Sequence, residues 1–364
     1  MHLNRPPLVG INEYLYNNLH RSGNNWDTLN ITEDNSKPNQ LYEFLASSGF
    51  NERNKNALDI LRTILDIQQK KPFYKVLEYI LSIEKGTQIF IPHIRDHISH
   101  SVYVYLLGQL FFNELPRLEY DMTFEFKWKL TSLLHDLGNP IHLFTYSMLN
   151  YIGIIEEVGE TLSPIHASLK FNNIANLTPR KNKLNNSFSM IQECLNGWGI
   201  TINIEREYNN NLRDGKIEHG IFSALLMLKA IDGLYTKHNP NHYETDDELE
   251  RHYVQNRVGW GRNHFDQEII SAAAAISIHN IISNINGHIN YRETPLPFLL
   301  ILCDTIQEWD RYSPGQRVYD PYSVSLNFSD NLPSITFQLP ENKINNIRNV
   351  LGKLRISERA IEIF

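Results

Sequence analysis

The sequence predicts a mainly α-helical protein with a small α+β segment at its C-terminal end. Three observations support this fold class. Apolar residues recur at steps of three and four over long stretches, as in Leu58, Leu61 and Leu65. Glycine and proline interrupt these stretches at intervals typical of helix ends. Strict alternation of apolar and polar residues, the pattern of a half-buried strand, is found only after Pro321.

Residues 1–84 are interpreted as an N-terminal helical extension. The first 37 residues are rich in asparagine and in charges of both signs, with a few aromatic residues between them. From Gln40 to about Glu84 the spacing of leucine and isoleucine predicts helix.

Residues 85–320 form the central domain and carry the strongest helical patterns. Gly138 is expected to end the helix predicted at 124–137, with Asn139 and Pro140 preventing its continuation. Gly233 is expected to end the helix predicted at 217–231, and a proline at 295 or 297 is expected to open the helix predicted at 295–309. Between the helices at 124–137 and 217–231, residues 141–215 predict several short helices with asparagine-rich loops. The main helices are predicted at 97–113, 124–137, 217–231, 265–284 and 295–309.

Residues 321–364 are interpreted as a C-terminal appendage. Two alternating segments, 322–328 and 334–339, are separated by a short polar stretch, which predicts a β-hairpin. A helix near 341–354 follows. The appendage is a candidate surface for contacts with another protein.

Composition and charge exclude several classes of function. The 364 residues include 34 basic and 41 acidic ones, a formal charge of −7, which argues against duplex nucleic acid as a partner. Two cysteines cannot build a disulfide framework or a cysteine-rich zinc site. The first residues lack a signal-peptide core, and no apolar run is long enough for a membrane. We therefore expect a cytoplasmic protein without a membrane partner.

Six histidine and aspartate residues lie inside or beside apolar helical patterns, where an unpaired polar side chain is costly to bury. A shared metal centre would remove that cost for all of them. His135 and Asp136 are adjacent, so they diverge by roughly 100° on a helix and can approach two metals, with the carboxylate as a bridge. Histidine and carboxylate ligands without sulfur fit Mn, Fe, Co, Ni, Zn or Mg and do not distinguish them. The six residues are His100, His135, Asp136, His219, His279 and Asp304.

The ordered series His, His-Asp, His, His, Asp resembles the HD-domain superfamily of metal-dependent phosphohydrolases. The string from Leu133 to Gly138 carries most of this resemblance, which covers roughly residues 95–311 through short islands. It implies an HD-domain helical bundle over the central domain and two divalent metal ions. His100, His135, Asp136 and Asp304 match the four residues of the basic motif. His219 and His279 match the additional histidines of binuclear members.

Two departures from the family pattern restrict the substrate. Many members have Lys or His where this chain has Asn139, so a cation for phosphate is missing there. The Gly-Tyr-Pro signature of cyclic-di-GMP phosphodiesterases is absent. Segments 218–221 and 303–311 also resemble HD proteins of bacterial defence and conflict systems.

The resemblance implies hydrolysis of a phosphoester or phosphoanhydride in a small phosphorylated molecule, which we expect to be a nucleotide. His135 and Asp136 would act in catalysis through the metals. Glu218 is a candidate proton donor to the leaving oxygen; the alternative is a helix first-turn residue favoured by the helix dipole. Arginine matches phosphate oxygens with two parallel hydrogen bonds. The candidate substrate-binding residues are Arg95, Arg257, Arg262 and Arg311.

Two other functions remain open at this point. The same ligand types resemble those of HD-type di-iron oxygenases such as inositol oxygenase, which would bind dioxygen and a diol-like substrate. A non-catalytic regulatory or interaction module of a bacterial defence system is the third reading. His142 could line the cleft, and the segment 234–265, with its arginines and aromatic residues, is expected to border the cavity mouth.

Overall fold

The structure is a computed structural model, and it confirms the mainly α-helical fold. It describes single positions between 55 and 82 and then the ranges 97–114, 123–142, 174–177, 186–214, 216–236, 265–307, 323–327, 334–338, 341–356, 359–360 and 362–363. None of the helices in these ranges is both long and apolar enough to cross a membrane.

Eight α-helices have both ends within the described ranges. They are α1 (His97–Glu114), α2 (Phe124–Leu134), α3 (Ser187–Gly197), α4 (Ile204–Arg213), α5 (His219–Thr236), α6 (Ile270–Ile278), α7 (Pro295–Gln307) and α8 (Glu341–Leu351). A π-helical turn, Phe265–Ile269, leads directly into α6, and a 3-10 turn at Ile282–Asn284 follows it. The strands are β1 (Ile289–Asn290), β2 (Ser323–Asn327), β3 (Ser334–Gln338), β4 (Leu354–Ile356), β5 (Arg359–Ala360) and β6 (Glu362–Ile363).

The chain divides into two compact units, and each is described by itself. The first unit comprises the described residues of 1–65, 92–121 and 288–364. The second comprises those of 66–91 and 122–287.

In the first unit, α1 packs against α7, and α7 also packs against α8 and β1. The predicted hairpin is confirmed: β2 and β3 are antiparallel, with Ser323 opposite Gln338, and β6 joins β3 in parallel. A second small sheet pairs β1 with β4 in parallel and β4 with β5 in antiparallel orientation. The C-terminal residues therefore contribute helix α8, which packs on α7, and strand β4, which pairs with β1.

In the second unit, α6 is the central helix and packs against α2, α3 and α5. Its four alanines, Ala272–Ala275, are fully buried, and their small side chains let the neighbouring helices approach closely. Helices α3 and α4 begin at asparagine caps. The side chain of Asn186 accepts hydrogen bonds at the start of α3, and Asn203 does so at the start of α4.

The predicted end of the second helix was wrong. Helix α2 ends at Leu134, residues 135–138 form a turn, and residues 139–142 are helical again. Pro140 does not prevent this, because it lies in the first turn of the new helical segment, where its missing N–H has no partner to lose.

Gly233 does not end its helix either, since α5 continues to Thr236. Positive φ angles, which favour glycine at a helix end, occur at Gly199 and Gly287 among the described glycines. The predicted helix 265–284 is divided into a π-helical turn, α6 and a 3-10 turn. Between 55 and 65, Leu58 and Leu61 are helical and Leu65 is buried, as the spacing predicted.

Candidate metal centre

Four of the six predicted metal ligands come together in the second unit, and three of them lie at helix ends. His135 is the C-cap of α2 and Asp136 follows it. His219 is the first residue of α5, and His279 is the C-cap of α6. The side chains of His135, Asp136 and His279 are at most 5% exposed, whereas His219 is 22% exposed. The cluster is therefore buried, with its most open side at His219.

The carboxylate of Asp136 lies at the centre of this cluster. Its Oδ2 is 3.7 Å from Nε2 of His135, and its Oδ1 is 3.5 Å from Nε2 of His219. Oδ1 is also 3.9 Å from Nε2 of His279. Three imidazole rings thus direct the same nitrogen toward one carboxylate.

Two of the rings are oriented by the same local device. At the end of α2, Nδ1 of His135 lies 2.8 Å from the carbonyl oxygen of Ser132, and at the end of α6, Nδ1 of His279 lies 2.6 Å from that of Ile276. The last carbonyls of a helix lack donors within the helix, and a histidine side chain near the helix end can donate to them. Because a carbonyl only accepts hydrogen bonds, each Nδ1 carries a proton, and in the neutral ring Nε2 then presents a lone pair toward Asp136.

This donor set fits a divalent cation. Lone pairs and a carboxylate that converge in a buried place repel one another, and protonation of all three rings would leave excess positive charge there. A cation bound between them satisfies both the lone pairs and the negative charge. His135, Asp136 and His279 each offer a ligand atom within 4.8 Å of one another, the spacing of atoms that share an ion. A hydrogen bond from Nδ1 to a carbonyl is also the usual support of a metal-binding histidine.

Two glycines let the ligand-bearing segments approach one another. A Cβ atom on Gly220 would lie 3.0 Å from the His279 ring, and one on Gly138 would lie 2.7 Å from Cδ1 of Phe222. The Ser223 hydroxyl joins the same segments: it accepts from the Gly138 N–H at 2.8 Å and donates to the His219 carbonyl at 2.6 Å. The turn after Asp136 is thereby held against the first turn of α5.

Glu218 caps the N-terminus of α5. Its carboxylate accepts hydrogen bonds from the N–H groups of Gly220, at 3.1 Å, and Ile221, at 2.6 Å. Burial raises the pKa of Glu218 to about 7, against the lowering effect of these hydrogen bonds. These contacts are those expected of a carboxylate at the start of a helix, the second of the two roles predicted for Glu218. The residue lies directly before the candidate ligand His219.

Two residues beside the cluster carry contacts that sequence reasoning missed or left open. Asn280 was not singled out, yet its side-chain nitrogen contacts Nε2 of both His219 and His279. The one available signal was its position directly after a candidate ligand. His142, which was expected to line the cleft, is half-buried; its Nδ1 donates to the Ile217 carbonyl, and its ring centroid is 5.5 Å from that of His219.

The remaining two predicted ligands lie in the first unit and contact each other. Nε2 of His100, on α1, is 2.8 Å from Oδ1 of Asp304, on α7. Nδ1 of His100 contacts the side-chain oxygen of Gln307, a fully buried residue that sequence reasoning also missed. As in the second unit, one ring nitrogen is oriented by an oxygen and the other faces a carboxylate.

The four predicted substrate-binding arginines, Arg95, Arg257, Arg262 and Arg311, lie outside the described residues. The segment 234–265 also lies outside them except at its two ends. The predicted cavity mouth at this segment therefore stays a prediction.

No family model, curated protein or solved structure matches this chain. The assignment to the HD-domain superfamily thus stays a prediction from short motifs. Independently of any family, the second unit contains a buried histidine and aspartate cluster that could hold a metal ion.

Proposed function

We propose that this protein is an HD-type, metal-dependent phosphohydrolase that cleaves a phosphoester or phosphoanhydride of a nucleotide. One observation carries the proposal: the buried carboxylate of Asp136 lies within 3.9 Å of Nε2 atoms from three histidines. Histidine and carboxylate ligands without sulfur are those of two-metal phosphatases and nucleases.

His135, His279 and Asp136 would hold the cation most firmly, because they are the most buried members of the cluster. His219, which is partly exposed, would complete the ligand set on the side open to solvent. The resemblance also implies His100 and Asp304 as metal ligands, and we propose them as such. When bound, such cations lower the pKa of a coordinated water and neutralise charge on the phosphate.

The other predicted site residues are proposed to orient a metal ligand or to bind the substrate. We propose that Glu218 positions His219 by capping α5, because its carboxylate already accepts hydrogen bonds from two backbone N–H groups there. The arginines at 95, 257, 262 and 311 are proposed to grip phosphate oxygens, since the chain as a whole is acidic and needs local positive charge for an anionic substrate.

The proposal is tested by metal analysis of the purified protein, followed by a nucleotide hydrolysis panel with added Mn²⁺. Asp136→Ala is expected to abolish hydrolysis and to lower the metal content, because it removes the carboxylate that His135, His219 and His279 all face. His219→Ala is expected to lose part of the metal. Asp214→Ala is the matched control, since this carboxylate lies at the exposed end of α4.

Hydrolysis by the Asp136→Ala variant at the wild-type rate would contradict the proposal. An iron-loaded protein that consumes dioxygen and leaves nucleotides intact would replace it with the oxygenase function. Full biological effect without bound metal would replace it with the regulatory role.

A further inference from the structure

Asn280 lies at the open side of the metal centre. It directly follows the C-cap of α6 and is exposed, while the cluster behind it is buried. Its Nδ2 atom is 2.9 Å from Nε2 of His279 and also contacts Nε2 of His219. One amide nitrogen therefore lies between two of the candidate ligand atoms.

The chemistry of these contacts is that of a donor between two acceptors. Nδ1 of His279 donates to the Ile276 carbonyl, so Nε2 of that ring accepts. The amide nitrogen of Asn280 has two hydrogens and contacts both imidazoles, and the Glu218 carboxylate is a further hydrogen-bond partner of this side chain. These are the same lone pairs that a cation shared by His219 and His279 would use, so the two modes of binding exclude each other.

We propose that Asn280 is a built-in competitor for the metal: its amide takes the place of the cation on His219 and His279 and must move away when the cation binds. This inference rests on the metal centre of the proposed function. It makes Asn280 a positioning residue that lowers the affinity of the centre and holds the two rings in place while the centre is empty.

The direction of its effect follows from what else holds the rings. His279 is fixed without Asn280, because its Nδ1 is bonded to the helix end and its ring packs edge-on against His135, with centroids 5.2 Å apart. Removal of the amide thus relieves the competition and leaves His279 oriented. Two neutral hydrogen bonds of modest net strength no longer have to be broken, which corresponds to a roughly tenfold lower Kd for the metal.

The test measures Zn²⁺ affinity by competition with a chelator for the full-length protein. Asn280→Leu keeps the volume of the side chain and removes the amide, and Asn280→Ala serves as a second variant; both replace an exposed residue. The control is Asn284→Leu, an exposed asparagine nearby whose amide donates to Glu207. We expect about tenfold tighter Zn²⁺ binding in both Asn280 variants and an unchanged affinity in the control.

The outcomes separate the inference from the metal centre itself. If the wild-type protein binds Zn²⁺ and the Asn280 variants bind it equally or more weakly, the centre stands and the inference is overturned. If none of the proteins binds Zn²⁺, or Mn²⁺ in the same assay, both are overturned. A second readout is the side-chain NH₂ resonance of Asn280, which is expected to shift when Zn²⁺ is added; a resonance that does not move would also overturn the inference.

Discussion

Two histidines of the second unit each perform two tasks at the level of the single residue. Nδ1 of His135 and Nδ1 of His279 each cap a helix, while Nε2 of the same ring faces Asp136. A histidine side chain without the second contact would be free to rotate in the absence of metal. Here the helix end fixes the ring first, so the ligand atoms are in place before any cation arrives.

The capping role can be measured apart from the ligand role in metal-free protein. His279→Phe preserves most of the buried volume but removes the Nδ1–H that caps α6. We expect the free energy of unfolding, measured by urea denaturation in the presence of a chelator, to fall by about 1 kcal/mol or more. His288→Phe, at an exposed histidine, is the control. Equal stability of the wild-type and His279→Phe proteins without metal would show that the cap contributes nothing.

Two glycines of the same helix allow a matched test of close approach. A Cβ at Gly220 would lie 3.0 Å from the His279 ring and from the Ile276 carbonyl oxygen, whereas a Cβ at Gly233 would meet nothing within 4 Å. Gly220→Ala is therefore expected to lower both stability and metal affinity. Gly233→Ala is expected to stabilise α5 by about 0.5–1 kcal/mol, because alanine loses less backbone entropy in a helix. Chemical denaturation and metal titration of both variants check this, and the same effect from both would contradict it.

At the scale of the element, helix ends rather than helix faces carry the cluster of the second unit. Periodicity predicted the interiors of α1, α2, α5 and α7 and the hairpin of β2 and β3, because burial of apolar side chains at a fixed spacing is a local property. It did not predict that α2 ends at Leu134. That end is the position at which the next residue, His135, can cap the helix and face Asp136.

The same distinction explains which site residues could be predicted. The histidines and aspartates stand out because they interrupt apolar patterns. Asn280 and Gln307 are amides in ordinary helical surroundings, and their contacts depend on partners 61 and 207 residues away in the chain. A side chain whose role depends on such distant partners leaves no spacing pattern in the sequence.

At the scale of the whole molecule, each unit buries a tyrosine whose hydroxyl has no hydrogen-bond partner among the described residues: Tyr208 in the second unit and Tyr291 in the first. Burial raises the pKa of each from 10.0 to about 12. The neutral phenol is thus favoured in the folded state. The stability that depends on it is complete below pH 10 and is lost as the pH rises toward 12, because the unfolded chain ionises first.

We expect Tyr208→Phe and Tyr291→Phe to keep the folded protein as stable as the wild type near neutral pH or more so, since each removes an unpaired hydroxyl. Between pH 10 and 12 each variant should lose less stability than the wild type. Urea denaturation at several pH values, followed by circular dichroism, measures both effects. Parallel losses in the wild type and in either variant across this range would contradict the assignment.

The run Ala272–Ala275 in the centre of α6 has a consequence for how this protein can change over time. Because these buried side chains are only methyl groups, α5 can pack close to α6, the two helices that begin at His219 and end before His279. A larger apolar residue there would be accepted by a hydrophobic interior only through a shift of a whole helix. We therefore expect substitutions by larger residues at these four positions to be selected against. The alanines are not metal ligands, but a displaced helix would change the distance between His219 and His279.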